Sequence, residues 1–125
     1  MFRYNCRHTR DMMVCTARGR LTFDTLRALA VDCLTETPAA KVLYDLTHAT
    51  AADLSTGELE EIIQLIGQYL GRHRGGKAAI VAHSGVDYGL ARMFGTFAEI
   101  ADLPVKVKVF RIPEVAKEWL AGDTQ

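Results

Sequence analysis

The sequence predicts a layered α/β fold, a mixed central β-sheet flanked by helices, in a single domain spanning residues 1–125. Three observations predict it. The chain has 125 residues, a length typical of one domain with one core. Hydrophobic residues make up 49% and charged residues 24%, close to the average for globular proteins. Apolar residues recur with strand and helix spacing in turn, which gives the order ββαβαβαβα.

The first two elements form an antiparallel hairpin. Two strands are predicted over residues 2–8 and 12–18, with a tight turn at Arg10 and Asp11. A turn at this place sets Cys6 opposite Cys15 on the neighbouring strand. In a reducing cytosol we expect two reduced thiols that pack side by side, with a redox-active bridge as the alternative.

A helix, a strand and a second helix are expected next. An apolar stripe predicts a helix over residues 21–36, which ends before Pro38. Residues 41–47 are predicted to form a parallel strand that is mostly buried on both faces. Ser55 and Glu58 have the spacing of a capping box, so the second helix is expected to start at Ser55 and to end at Gly71.

Two strands alternate with two helices in the last third of the chain. Strands are predicted over residues 77–83 and 105–110, and Asp87 is expected to cap the helix between them. The inner face of that third helix is predicted to consist of Leu90, Met93, Phe94, Phe97, Ala98 and Ala101. Pro113 opens a short final helix. Its inward residues are predicted to be Val115, Ala116, Trp119 and Leu120. Right-handed crossovers then put helices on both faces of the sheet, with the hairpin as its antiparallel edge.

The charge and hydropathy patterns exclude several classes of protein. Fifteen basic side chains balance fifteen acidic ones, so no net field favours nucleic acid or anionic lipid. We interpret the arginine-rich first twenty residues as a solvated hairpin, with a basic binding face as the alternative. No apolar run has the length of a membrane span, and the N-terminus lacks the apolar segment of a secretory signal. We therefore expect a cytoplasmic protein without a nucleic-acid partner.

Motifs for catalysis and metal binding fail on their spacing. Residues 75–77 (GGK) are followed by a strand where a phosphate loop needs a helix. Residues 83–85 (HSG) lack the flanking glycines of a nucleophile elbow. The four histidines have no partner at the spacing of metal ligands. We expect no enzyme, no cofactor and no metal; the least favoured alternative is an enzyme with His48 or His83 as base and Ser84 as nucleophile.

Two places in the predicted fold suit a ligand. Open α/β sheets bind ligands at the carboxyl ends of their parallel strands, near the helix starts at Ser55 and Asp87. The predicted crevice there consists of Thr47, His48, His83, Ser84, Tyr88 and Arg111. A small anion or a partner carboxylate fits such a crevice, and ordinary loop polarity is the alternative. The second place is the third helix, where Tyr88, Met93, Phe94 and Phe97 offer a soft apolar surface. Ordinary core packing of most of that stripe is the alternative.

Several segments of the chain resemble a known family. Residues 19–26 (GRLTFDTL), 42–50 (VLYDLTHAT) and 53–57 (DLSTG) are similar to STAS anti-sigma-factor antagonists. Residues 77–82 (KAAIVA), 88–94 (YGLARMF) and 109–111 (VFR), with Ala116, Trp119 and Leu120, more specifically resemble the SpoIIAA-like (STAS/SEC14-type) domains. The resemblance covers nearly the whole chain and implies a STAS-like fold.

The resemblance also implies a function and a site. In antagonists of this type, a Ser or Thr just before a Gly, at the start of the helix after the third strand, is phosphorylated to switch partner binding. The resemblance places that position on Thr56, with Ser55 beside it. The implied phosphorylation or partner site consists of Asp53, Ser55, Thr56 and Gly57. Leu54 is an extra residue relative to the Asp-Ser-Ser-Gly form. The leading hypothesis is a non-catalytic regulatory domain that binds a protein partner or forms a homodimer. The alternative is a SEC14-like carrier of a small apolar ligand or lipid.

Overall fold

The sheet and helices follow one another in the predicted order. The computed structural model describes residues 3–9, 12–35, 41–70, 76–83 and 85–122. Its strands are β1 (Arg3–His8), β2 (Met13–Arg20), β3 (Lys41–Thr50), β4 (Lys77–Val81) and β5 (Lys106–Phe110). Its helices are α1 (Phe23–Thr35), α2 (Thr56–Leu70), α3 (Gly85–Ile100) and α4 (Pro113–Ala121).

The five strands form one mixed sheet in the order β1-β2-β3-β4-β5. Only the β1–β2 pair is antiparallel, which confirms the hairpin at the edge. The predicted register is also confirmed, because Cys6 pairs with Cys15. The structure joins these cysteines in a disulfide, so the expectation of two reduced thiols is wrong. Directly opposite positions in a hairpin bring the two Cβ atoms close enough for a bridge. The predicted turn at Arg10 and Asp11 lies outside the described residues.

Helices cover both faces of the sheet, as predicted. Alternate residues of a strand point to opposite faces. On β3, Leu43 packs in one apolar cluster with Ala116 and Leu120 of α4. On β4, Ile80 packs on the opposite face in a cluster with Ala91 of α3. Because α1 contacts α2 and α2 contacts α3, these three helices form one layer and α4 belongs to the other.

Two strands extend further than the sequence predicted. β2 continues to Arg20 and β3 continues to Thr50, because parallel pairing carries on with Arg20 opposite Thr50. The register of this pair shifts between Thr16 and Arg18. The extension matters for the site, since the carboxyl end of β3 lies three residues beyond the predicted one.

Two predictions for α3 and one for α4 are wrong. α3 begins at Gly85, so Asp87 lies inside its first turn and does not cap it. Ala101 lies beyond the end of α3 and is exposed, whereas Ala91 is the buried alanine that the pattern missed. Val115 of α4 was expected to face inward and is 45% exposed. A short terminal helix buries a narrow stripe, here Ala116 and Leu120, and leaves the neighbouring positions in solvent.

Candidate functional site

Two local interactions that the sequence encodes, one polar and one apolar, fix the start of α2. The Glu58 backbone N–H donates to Ser55 Oγ at 3.1 Å, and the Ser55 N–H donates to Glu58 Oε1 at 2.9 Å. This is the predicted capping box. Leu54 and Leu59, which flank it, are buried in the same apolar cluster and form a hydrophobic staple. Together they set the direction in which the chain enters the helix.

Residues of α3 and of β2 also bind the loop before α2. Asp87 Oδ1 of α3 accepts hydrogen bonds from the Ala51 N–H at 2.7 Å and from Thr50 Oγ1 at 3.1 Å. Arg20 Nη1, at the end of β2, lies 2.5 Å from Asp53 Oδ2. Both side chains of that ion pair are largely exposed, so it contributes little stability. The loop is therefore positioned mainly by Asp87 and by the buried Leu54.

The extra residue in the Asp53-to-Gly57 segment has a structural explanation. Leu54 is 7% exposed and lies in the core beneath the loop. Its burial separates Asp53, which faces Arg20 at the surface, from the hydroxyl pair that follows. The departure from the Asp-Ser-Ser-Gly form thus adds an anchor to the loop and leaves both hydroxyl-bearing residues exposed.

The two hydroxyls at this helix start differ in their bonding. Ser55 Oγ accepts from the Glu58 N–H, so it is committed to capping. Thr56 is the first residue of α2 and is exposed. Within the described part of the chain, its hydroxyl makes no hydrogen bond. Gly57 follows it, and a Cβ added there would meet only Ser55 Oγ at 3.9 Å. Folding therefore does not require a glycine at this position.

The predicted crevice is assembled in part. The Arg111 guanidinium lies over the Tyr88 ring, with Cζ 4.1 Å from the ring centroid, and Arg111 Nη1 donates to the His83 carbonyl at 3.3 Å. These three residues come together at the carboxyl ends of β4 and β5. Thr47 and His48 do not join them, because they lie inside β3. Thr47 is bonded to Asp45 through its N–H and its hydroxyl. Ser84 lies outside the described residues.

Exposed apolar side chains occupy the same edge of the sheet, and sequence reasoning missed them as a group. Val86 in the first turn of α3 is 62% exposed. Ile112 and Val115 at the start of α4 are 52% and 45% exposed. α2, α3 and α4 each follow the carboxyl end of a parallel strand, so these residues share one edge with Thr56. The available signal was an apolar residue outside the predicted stripe at two helix starts, Val86 in α3 and Ile112 just before α4, whereas the exposure of Val115 had no signal because the pattern placed it inward.

Polar and apolar side chains lie together in solvent at this edge. Across the described ranges, no group of three or more His, Cys, Asp and Glu residues is arranged to hold a metal ion. The imidazoles of His48 and His83 make no hydrogen bond to any residue that the structure describes. What the edge offers is an exposed hydroxyl at a helix start, a stacked Arg–Tyr pair and apolar side chains in solvent. No helix in the described part of the chain is long and apolar enough to cross a membrane.

Comparison with known proteins bears on the fold. No protein-family model matches the chain, and no curated protein matches its sequence. Among solved structures, the chain is similar to an anti-sigma factor antagonist from Mycobacterium paratuberculosis, with a TM-score of 0.65 over 97% of this chain and 95% of that chain. The two chains share one fold. The fold predicted from the resemblance to STAS antagonists is thereby confirmed. The sequence identity is 13%, so the similarity shows the fold alone.

Proposed function

We propose that this chain is a non-catalytic regulatory domain of the STAS type, which binds a protein partner through the carboxyl edge of its sheet. Thr56 is the phosphate acceptor that switches this binding. The observation that carries the proposal is the exposed, unbonded Thr56 hydroxyl on a helix start that Asp87 and Leu54 hold in place. The structural relative is itself named an anti-sigma factor antagonist, which favours the same class of function.

The physical basis of the switch is a change of charge at an apolar edge. A phosphate on Thr56 adds a charge of roughly −2 at the first residue of α2. A partner that covers Val86 and Ile112 has to exclude water from this edge. It would then also have to desolvate the phosphate, which is costly unless a cation faces it. Phosphorylation therefore releases a partner that binds the unmodified edge.

Partner binding is tested with the protein itself and a matched control. The wild-type chain, Thr56→Glu, Val86→Asp and Thr96→Glu are immobilised and exposed to lysate from the host cell. Thr96 is an exposed threonine on α3, away from the edge, so Thr96→Glu controls for added charge on a helix. We expect a protein bound by wild type and Thr96→Glu that binds at least about tenfold more weakly to the other two, a loss of about 1.4 kcal/mol.

Equal capture by all four proteins would contradict the proposed edge.

Sedimentation of the purified chain tests whether the partner is a second copy, because a homodimer built on this edge dissociates in Val86→Asp. Cytoplasmic residence is part of the same proposal, and fractionation of host cells tests it.

The phosphorylation step has its own test. The protein is incubated with host lysate and ATP, and its intact mass is measured. We expect wild type and Ser55→Ala to gain one phosphate and Thr56→Ala to gain none. An unchanged mass of the wild-type chain, or modification of Thr56→Ala, would contradict Thr56 as the acceptor.

A further inference from the structure

β5 lies at one edge of the sheet, and no strand lies beyond it among the residues that the structure describes. The Lys106 N–H donates to the Gly76 carbonyl at 3.0 Å, so it points to the β4 side of the strand. Backbone groups alternate in direction from one residue of a strand to the next. The N–H and C=O groups of Val107 and Val109 therefore point away from the sheet. Such a row of backbone groups is a template for one more strand.

An open groove of about 760 Å³ runs along β5 on the side of α3. Val107 and Val109 line it from the strand, and Gly95 and Thr96 line it from the helix. A Cβ added to Gly95 would meet Val107 Cγ1 at 3.7 Å, so helix and strand approach each other at this point. The groove has room for the side chains of an added strand. Its charged groups on the helix side are of both signs and favour neither an acidic nor a basic partner: Arg92, Glu99 and Asp102.

Lysine side chains lie on the other face of β5. Lys106 and Lys108 are exposed, and Lys106 is in register with Lys77 of β4. The Nζ atoms of Lys77 and Lys108 lie 4.9 Å and 5.9 Å from the centroid of the Trp119 ring, which places both on the α4 side of the sheet. None of these three lysines is ion-paired with a carboxylate that the structure describes. Neighbouring like charges on one face are unfavourable, so an acidic group beside Lys106 and Lys108 would relieve their repulsion.

We propose that the β5 edge binds an extended acidic segment of another protein as an additional strand. Backbone hydrogen bonds to Val107 and Val109 hold the segment. Its acidic side chains face Lys106 and Lys108, and the uncharged side chains between them lie in the groove beside α3. The inference goes beyond the proposed function, because this edge runs along β5 and is separate from the carboxyl edge that carries Thr56.

The charges disfavour a second copy of this chain as the added strand. Pairing of two β5 edges would set Lys106 and Lys108 against lysines of the other copy. The other edge strand, β1, exposes Arg3 and Arg7, so it repels β5 in the same way. Lysines on an edge strand commonly prevent self-association. Here the same lysines also select an acidic strand over a basic one.

Synthetic peptides test the charge requirement. The probe is a short peptide in which glutamate alternates with threonine, and the control peptide has lysine in place of glutamate. We expect the acidic peptide to bind wild type, and to bind the double variant Lys106→Glu with Lys108→Glu at least about tenfold more weakly. Lys117→Glu changes an exposed lysine of α4 and should bind as wild type does. No binding of the acidic peptide to wild type at about 1 mM, or equal binding of the lysine peptide, would overturn the site.

Backbone methylation separates strand pairing from charge attraction alone. In an added strand, only one set of N–H groups, that of the glutamates or that of the threonines, points to β5. Two further peptides carry N-methyl groups on all glutamates or on all threonines. We expect one of them to bind as the unmodified peptide does and the other at least about tenfold more weakly. Equal affinities of the two methylated peptides would overturn strand pairing.

Hydrogen exchange locates the bound peptide. We expect the Val107 and Val109 amides to exchange more slowly in the complex, by about threefold or more, and the Lys106 and Lys108 amides to be unaffected. Unchanged exchange at Val107 and Val109 would contradict the β5 edge. Val86→Asp, which disrupts the carboxyl edge, should bind the peptide as wild type does, so this proposal and the proposed function can fail separately.

Discussion

Ser55 and Thr56 are neighbours at a helix start, yet the structure gives them different tasks. Ser55 caps α2 through the Glu58 N–H, and Thr56 projects an unbonded hydroxyl from the first helical position. Sequence alone marked both as candidates for modification. The geometry separates them, because modification of Ser55 removes a hydrogen bond that the fold uses, whereas modification of Thr56 leaves the cap in place.

Replacement of the capping serine should cost stability that replacement of its neighbour does not. In Ser55→Ala, the Glu58 N–H loses its acceptor, and we expect the free energy of unfolding to fall by about 1 kcal/mol. In Thr56→Ala it should stay within about 0.5 kcal/mol of wild type. Urea unfolding followed by circular dichroism measures both values. Equal losses in the two variants would mean that Ser55 is not the functional cap.

Asp87 links α3 to the segment that precedes α2. The sequence predicted it as a helix cap, but its carboxylate accepts from Thr50 at the end of β3 and from Ala51 in the loop before α2. A carboxylate that holds a neighbouring loop ties α3 to the start of α2. Its partners lie far away in the chain, which is why local spacing did not reveal them.

Loss of this carboxylate should destabilise the protein more than loss of an equivalent exposed acid. We expect Asp87→Ala to lower the free energy of unfolding by about 1 to 3 kcal/mol, because the Ala51 N–H loses a charged acceptor. Asp24 is the matched control, since it is an acid in the first turn of α1 and is exposed. Asp24→Ala should change stability by about 0.5 kcal/mol or less. If both substitutions lowered the free energy of unfolding equally, Asp87 would stabilise the protein only through its charge near a helix N-terminus and not through its hydrogen bonds to the loop.

At the scale of elements, the register of the β1–β2 hairpin places two cysteines where a disulfide can form. The position of the turn determines the register of the two strands, which runs from Arg3 opposite Arg18 to His8 opposite Met13. This register places Cys6 opposite Cys15. Cys15 is 2% exposed and packs with Leu29 of α1. The bridge therefore ties the edge strand to the part of the sheet that α1 covers.

Reduction should loosen this edge. The disulfide closes a loop with a sequence separation of 9 residues. For loops of this size, we expect a reductant to lower the free energy of unfolding by about 2 to 3 kcal/mol, measured by urea unfolding with and without the reductant. Cys6→Ala should be insensitive to the reductant. A wild-type chain with the same stability in both conditions would show that the two thiols are not bridged.

At the scale of the whole molecule, the two faces of the sheet are covered unequally. α1, α2 and α3 cover one face, and the short α4 covers the other through Ala116 and Leu120, both 0% exposed. The sequence pattern included Val115 in the inward stripe, but it stands 45% exposed at the carboxyl edge. This division assigns Leu120 to the core and makes Val115 available to a partner.

Alanine substitutions on α4 should reflect this division. Leu120→Ala removes a fully buried side chain, and we expect it to cost about 2 to 5 kcal/mol of unfolding free energy. Val115→Ala should cost about 0.5 kcal/mol or less. Thermal or urea unfolding of the two variants measures the difference. A large loss of unfolding free energy in Val115→Ala would instead show that Val115 faces inward, as the pattern predicted.

The sequence by itself determined the order of the elements, the register of the hairpin and the capping box at Ser55. These depend on residues close together in the chain, whose spacing is fixed by strand and helix geometry. Tertiary structure alone decided the length of β3, the role of Asp87 and the exposed apolar edge. Each of these results from contacts between distant segments, where Arg20 meets Thr50 or Asp87 meets Ala51, and one-dimensional spacing does not encode which segments meet.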